Sequence, residues 1–565
     1  MVKYIFVTGG VMSGVGKGVT TASIGKLFQF RGYDVEAIKI DPYLNVDPGT
    51  LNPIEHGEVY ITEEVWEFKP VEGFSLKISE IDQDFGSYER FLGKNMSPEQ
   101  NITSGQVYLS VILKEREGEF LGHTTQIIPH ITDEIKKRIR QVSVRKKPDI
   151  LITEVGGTVG DIEAMPFLEA IRQFRLEEKK EDTILIHVTY VPYLDTVQQQ
   201  KSKPSQHSVR TLQGMGLQPD VLVARAKKPL TKDVLQKLSL FSNLPPEAVI
   251  SNPDIDVIYE LPLFFEQQKL GDYLCKISNL PIKKPQLDEW CNIVNLYKNA
   301  KEVVRIAVPG KYTQIVDSYI SIQEALRHAS ACSGAKLELQ WIDTEPIEND
   351  PKALEILGKF DGILLTPGFG SRGTEGMILT AEYAIREGMP YLGICFGCQL
   401  LFVAFCRSVL GLEGANSTEI DPNTPHPVVD LLPEQRAIKT KGGTMRLGGH
   451  KVILMENTRL KEAYNKTEVI ERFRHRYHIM PQYADMAKDA GLIVSATDET
   501  GKIINAIELN KDFLIMGVQF HPEFKSRPNL PSPVYLAFIK EALRYQKFKK
   551  EGIKTLNTPL GFGTP

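Results

Sequence analysis

Short runs rich in β-branched residues recur along the chain at helix-length intervals, and this alternation restricts the fold more than any other feature. "YIFVTGG", "DVEAIKIDP", "DILITEVGG", "ILIHVTYVP" and "VLVARA" are near-continuous apolar runs separated by helical patterns. Runs of this kind are strands buried on both faces, as in a parallel sheet. Strands that alternate with helices build an α/β layered domain. A second series, "VRIAVPG", "KLELQWID", "DGILLTPGFG", "YLGICFG", "LIVSATD" and "FLIMGVQFHPE", repeats the theme. Between the two series, "LPIKKPQLDEWCNIVNLYKNAKEV" carries prolines, a basic pair and a polar amphipathic segment, which reads as a linker. At 565 residues the chain is too long for one core. The expected organisation is an α/β domain over 1–279, a linker over 280–302, a second α/β domain over 303–547 and a disordered tail over 548–565.

The formal net charge of −4 gives no electrostatic reason to expect a nucleic-acid or membrane partner. Six cysteines in so long a chain do not make a disulfide framework, so a reducing cytoplasm is expected. No uninterrupted apolar stretch is long enough to span a bilayer.

The first strand runs into "TGGVMSGVGKG", and "TTASIGKLFQFRG" follows as a helix. A strand, a glycine turn and a helix N-terminus expose backbone N–H groups to an anion, and the helix dipole adds to the attraction. Lys17 supplies a mobile charge for phosphates. The strict G-x-x-x-x-G-K-[ST] pattern is broken, because Val11 stands at its first glycine and Gly18 at its hydroxyl. The plainer alternative is a structural turn between strand and helix. A magnesium ion on triphosphate needs carboxylate oxygens. "DQDFGSYERF" offers Asp82 and Asp84, and Glu154 ends an apolar run, although any of the three could be a surface charge. "QQQKSKPSQHS" places Lys201 and Lys203 close together with Gln206 after a proline. Read as extended chain, it suits a second polyphosphate; its bland alternative is a solvated basic loop.

In "GICFG", Cys395 sits between Gly393 and Gly397 in the G-x-nucleophile-x-G pattern of a strand turning sharply into a helix. A cysteine nucleophile needs a base, and the base an orienting group. "VQFHPEF" supplies His521 and Glu523 at the end of a later strand, and "TPGFGSRG" is a glycine loop able to offer N–H donors to an oxyanion. A redox pair of Cys395 with Cys398, or an inert core thiol, are the competing readings.

Taken in order, "VTGGVMSGVGKG", "IKIDPYLNVDPGT", "EHGEVY", "GSYERF", "QIIPHITDEI", "EVGGTVGDIE", "KSKPSQHSV", "GKYTQIVDSYISIQEAL", "GFGSRGTEGM", "LGICFGCQ", "GGTMRLG", "HRY" and "QFHPEF" resemble the CTP synthase family over the chain up to about Lys547. The resemblance implies two α/β domains, each a mostly parallel sheet flanked by helices: a P-loop NTPase-like amidoligase and a class I glutamine amidotransferase. It implies ATP-dependent amination of UTP to CTP through a 4-phosphorylated intermediate, with ammonia released from L-glutamine. It also implies Mg2+, GTP as allosteric activator, CTP as product inhibitor, and a homotetramer able to stack into filaments.

Carried over by residue, the resemblance assigns Gly14, Val15, Gly16, Lys17, Gly18 and Val19 to the ATP loop, with Lys17 aiding phosphoryl transfer. Pro253, Asp254 and Ile255 match the ATP nucleoside contact, and Asp84 and Glu154 the metal ligands. Ser13, Lys201, Ser202, Lys203, Pro204, Ser205, Gln206 and Lys237 match the UTP site, and Asp161, Ile162 and Glu163 the segment that holds CTP. Cys395, His521 and Glu523 match the triad. Gly368, Phe396, Gly397, Cys398, Gln399, Glu419 and Arg476 match the glutamine pocket, and Pro53, His56 and Val59 the ammonia passage. The chain departs from the family pattern at residues 63–80, which are longer and different and read as a surface loop. It departs again at Thr366-Pro367-Gly368, where Pro-Gly-Gly is common; Pro367 has no N–H, so the oxyanion donors are expected from Gly368 and Phe396. The alternatives are another glutamine-dependent ATP amidoligase and a filament-forming paralogue with impaired catalysis.

Overall fold

Residues 2–311, 316–436 and 443–551 of the computed structural model are described here. The chain divides into two compact units, Met1–Leu51 with Glu64–Lys298, and Asn52–Glu63 with Asn299–Pro565.

The first unit is built on a seven-stranded sheet ordered Val249–Pro253, Val221–Ala226, Thr183–Val191, Lys3–Gly9, Ile150–Val155, Val35–Asp41, Asn101–Thr103. Every neighbouring pair is parallel. The apolar runs lack alternation because both faces of the sheet are covered. On one face Tyr4 and Phe6 meet Phe174 of the helix Met165–Glu177 edge-on, with ring centroids 4.8 and 5.4 Å apart. Parallel strands bring their carboxyl ends to one edge, where ligands of α/β sheets collect. Here Gly9, Asp41 and Glu154 share that edge. In the register, Glu154 stands opposite Val7 on one side and Lys39 on the other.

Residues 280–302 are more than a spacer. Their prolines end before Asp288, and the amphipathic part forms the helix Asp288–Asn299 with Trp290, Ile293 and Val294 buried. The Trp290 indole N–H donates to the Tyr259 carbonyl at 2.6 Å, and its ring packs on Phe30 and Phe91. Residues 63–80 likewise differ from a surface loop, because strands Tyr60–Phe68 and Leu76–Ile81 pair there as a two-stranded sheet. Phe68 is buried, with Trp66 against it and the Arg138 guanidinium 5.0 Å from its ring centroid.

The second unit holds a nine-stranded mixed sheet. Ala335–Asp343, Glu302–Gly310, Gly362–Leu365, Tyr391–Ile394 and Ile515–Val518 run parallel in that order. Ile504–Leu509, Leu492–Thr497, Arg446–Leu454 and Glu468–His475 extend it antiparallel. Core clusters include Phe396, Leu400 and Val403 in one and Ile306, Leu364 and Phe538 in another. The helix Pro533–Glu551 buries Val534, Tyr535, Phe538 and Ile539 and takes in residues 548–551 of the expected tail; residues 552–565 lie outside the described residues. Among the described residues, no helix is long and apolar enough to cross a membrane.

Candidate active sites

At the carboxyl edge of the first sheet, Gly16 caps the helix Lys17–Gln29 with φ 85°, a left-handed conformation that suits glycine. The Lys17 ammonium donates to the Gly157 carbonyl at 2.6 Å, and burial lowers its pKa. Gly18 explains the missing hydroxyl: a Cβ there would lie 2.2 Å from Asp84 Oδ1. Without it, the Asp84 carboxylate, at the start of the helix Asp84–Leu92, packs directly against the loop helix.

The sequence-expected acids converge on a residue that the motifs did not single out. The Lys39 ammonium donates to Asp84 Oδ2 and, at 3.0 Å, to Glu154 Oε1. Asp82 Oδ1 and Asp41 Oδ1 lie 3.7 and 4.0 Å from it. Tyr88 donates to the other Glu154 oxygen at 2.5 Å. Burial pushes the Glu154 carboxyl up; it also opposes ionisation of Asp84, but Lys39 beside it holds that carboxyl below the usual range. Asp82 accepts the backbone N–H of Asp84 at 2.9 Å and so positions it. The carboxylates of Asp84 and Glu154, gathered on the Lys39 ammonium, are the hard oxygen donors that a magnesium ion takes. Among the described residues, no set of three or more His, Cys, Asp or Glu is arranged to hold a metal alone.

Pro253 ends its strand, and the Asp254 N–H donates to the Ala226 carbonyl at 3.0 Å. Arg225, also unread from the sequence, bonds Asp254 at 3.3 Å, and a Cβ on Gly16 would lie 2.5 Å from its guanidinium. The Lys201–Gln206 stretch is not extended throughout. Pro204 sits in the first turn of the helix Lys203–Gly214, where its missing N–H costs nothing. Gln206 donates to Ser202 at 2.9 Å and Ser205 to the Tyr190 carbonyl at 2.9 Å. Lys203 lies 5.6 Å from the ring centroid of Phe241, which belongs to a second helix, Lys232–Ser242, one turn on from exposed Lys237. Asp161, Ile162 and Glu163 are exposed, and Asp161 accepts the Thr158 N–H at 2.8 Å.

In the second unit the elbow is formed. Cys395 joins the strand Tyr391–Ile394 to the helix Phe396–Ser408 with φ 51°, ψ −99°. Its flanking glycines are required by close approach, since a Cβ on Gly393 would lie 2.5 Å from the Gly397 carbonyl oxygen and one on Gly397 2.4 Å from that of Leu365. His521 Nδ1 donates to Glu523 Oε1 at 2.7 Å. Burial pulls the imidazole down, but the Glu523 carboxylate and the Cys395 sulfur outweigh it and push His521 up to about 10. Cys395 and Cys398 are both free, and Cys398 is turned into the sheet, where a Cβ on Gly517 would lie 2.8 Å from its sulfur.

A Cβ on Gly368 would lie 3.8 Å from the Phe396 ring, so the loop and the residue after the elbow are neighbours. Lys311, missed in the sequence, braces this loop: its ammonium donates to the carbonyls of Phe369, at 3.1 Å, and Gly370, and to Thr374 Oγ1 at 2.8 Å. Burial lowers its pKa to about 8. Glu419 accepts the Gly370 N–H at 2.9 Å, and Arg476 donates to Gln435 at 2.8 Å. Gln399 donates to the Tyr477 carbonyl and to Gln519. Of the expected passage, Pro53 and His56 bound a one-turn helix and Val59 is buried. Tyr60, next in the chain, donates to the Phe524 carbonyl at 3.0 Å, and the Phe524 ring stacks on His521.

A family model for the CTP synthase N-terminus matches residues 3–280, and one for class I glutamine amidotransferase matches residues 314–541. The CTP synthase of Sulfurisphaera tokodaii is 49% identical over 542 residues, covering 96% of this chain and 99% of that protein. That of Pyrococcus abyssi is 49% identical over 550 residues, covering 97% and 99%. That of Thermus thermophilus is 49% identical over 550 residues, covering 96% and 98%. With both halves matched in order and relatives at this identity over nearly their whole length, the chain belongs to the CTP synthase family.

Proposed function

We propose that the protein aminates UTP to CTP at the expense of ATP, with ammonia from L-glutamine. The observation that carries this reading is one chain with Asp84 and Glu154 gathered on Lys39 beside the glycine loop of Lys17, and a Cys395 elbow with a His521–Glu523 pair. We assign amination to the first unit and glutamine hydrolysis to the second.

The C4 oxygen of uracil is a poor leaving group, and phosphorylation makes it a good one. The glycine loop from Ser13 to Val19 cradles the ATP phosphates, Lys17 neutralises charge during transfer, and Pro253–Ile255 contact the nucleoside. Lys201–Gln206 and Lys237 hold UTP, and Asp161–Glu163 hold the product CTP as inhibitor. Asp84 and Glu154 would hold Mg2+, which when bound neutralises triphosphate charge. In the second unit the Cys395 thiolate, paired with the His521 imidazolium, attacks the glutamine carboxamide carbon. Charge on the former carbonyl oxygen meets the N–H groups of Gly368 and Phe396. His521 then gives its proton to the leaving nitrogen, and ammonia departs as the C–N bond breaks. Water gives a proton to His521, attacks the thioester and releases glutamate and the thiolate. Neutral ammonia is lost to protonation in water, which motivates the passage past Pro53, His56 and Val59. The family resemblance supports GTP activation, a homotetramer that stacks into filaments, and a cytoplasmic location; six unpaired cysteines agree with the last.

The test is a spectrophotometric assay of UTP-to-CTP conversion with glutamine or ammonium, each with and without ATP and GTP. CTP formation from both nitrogen sources, dependent on ATP, is expected; no CTP from either source rules the reading out.

A further inference from the structure

We propose that Gln519 is a catalytic residue of glutamine hydrolysis, donating a side-chain N–H to the Cys395 sulfur and holding it in the anionic, attacking form. The proposal rests on Cys395 being the nucleophile.

The position follows from strand register. The Cys395 N–H donates to the Val518 carbonyl at 2.8 Å, so the residue after Val518 lies beside the elbow. That residue is Gln519, 1% exposed, with Nε2 3.5 Å from Cys395 Sγ. Its amide orientation is set by a chain of one-way bonds. The Tyr477 backbone carbonyl only accepts, so the Gln399 group 2.9 Å from it is Nε2. The same Nε2 donates to Gln519 Oε1 at 3.0 Å, which leaves the Gln519 N–H facing the sulfur. The Gln519 backbone is itself pinned by its N–H to the Asn505 carbonyl at 2.8 Å.

The direction of this bond decides its effect. A donor facing the sulfur strengthens when the sulfur becomes an anion, because charge-assisted hydrogen bonds are roughly twice as strong as neutral ones. The Arg474 carbonyl, 3.6 Å away, accepts from the sulfur and so favours the protonated thiol. The two partners therefore serve opposite protonation states. The other ionisable groups around the sulfur are His521 with Glu523, the Cys398 thiol, and His475, kept neutral by burial. Lys311 lies over the adjoining Phe396 ring and Arg474 over Phe369.

The test measures alkylation of Cys395 by iodoacetamide in the full chain, read by peptide mass mapping, with glutaminase kcat alongside. Gln519→Leu is expected to slow alkylation at pH 7 about tenfold while leaving the rate at strongly alkaline pH, where any thiol is ionised, within twofold. Glutaminase kcat should fall by about the same factor. Gln519→Glu, of the same shape, should slow alkylation at pH 7 further by adding a like charge, and it decides the matter if the leucine variant does not fold. Rates at pH 7 within twofold of the unaltered protein in both variants overturn the proposal. If Cys395 of the unaltered protein reacts no faster than exposed Cys332, the nucleophile reading fails and the proposal with it.

Discussion

His521 is held between two groups that favour its charged form, Glu523 at 2.7 Å and the Cys395 sulfur, against the burial that disfavours it. A raised pKa means that the imidazolium is retained below about 10 and lost as pH rises through that value. The alkaline limb of glutaminase kcat/KM is therefore expected near pH 10. In Glu523→Gln the anion is gone while burial stays, so the limb should move down by about one unit or more. Rate measurements from pH 6 to 10.5 check this; an unmoved limb shows that Glu523 does not set the charge of His521. In the first unit His187 illustrates the opposite case. It is buried, bonded to Thr8 at 2.9 Å and Ser208 at 2.8 Å, and burial with the charge of Lys17 pulls it down to about 3. It is a neutral tie between the loop strand and the helix Lys203–Gly214.

At the scale of elements, the helix Lys17–Gln29 begins as it does because Asp84 needs the space a side chain at Gly18 would fill. Gly18→Ala places a methyl where Asp84 Oδ1 now lies, so the carboxylate must move off Lys39 and the loop. A loss of about 10²-fold or more in CTP formation with ammonia is expected, since displacement of a positioned group by about 1 Å costs that much. Glutaminase activity, read by glutamate release, should change little. The hairpin formed by Tyr60–Phe68 and Leu76–Ile81 makes a second, energetic prediction. Phe68 is only 2% exposed and lies under Arg138. Phe68→Ala should destabilise the protein by about 3 kcal/mol, measured by urea denaturation, whereas a surface loop would tolerate it within about 0.5 kcal/mol.

Across the whole molecule, the proposed assignment puts the two chemistries on separate units, and the nitrogen source tests it. Cys395→Ala should abolish glutamine-dependent CTP formation and leave the ammonia-dependent rate within about twofold, because the nucleophile serves only amide hydrolysis. Asp84→Ala or Glu154→Ala should abolish both, because triphosphate charge is then unneutralised. Equal loss with both sources in Cys395→Ala contradicts the division of labour. Residues Asn52–Glu63 qualify that division, since they belong to the second unit although they interrupt the first in sequence. Tyr60 from this segment ends beside Phe524 and, through it, His521.

Local features were legible before any coordinates. The parallel strands were readable because burial on both faces makes a continuous apolar run, and the glycine loop and the elbow because each needs small residues at fixed spacing. The antiparallel strands Arg446–Leu454 and Glu468–His475 were not, because "RLGGHKVIL" and "EVIERFRH" mix polar and apolar residues without a clean period. The amphipathic helix around Trp290 was masked by the prolines and lysines before it. Pairings between distant residues left no local trace at all. Lys39 meets Glu154 only because their strands are neighbours in register, Gln519 meets Cys395 only because Val518 pairs with the elbow, and Lys311 braces a loop some sixty residues further on. The sequence by itself determined which segments could be strand, phosphate loop and nucleophile turn, since those depend on local sterics and burial. Which charges and donors surround Asp84, Glu154 and Cys395 was decided only by the tertiary structure, since strand order brings together residues that no spacing along the chain relates.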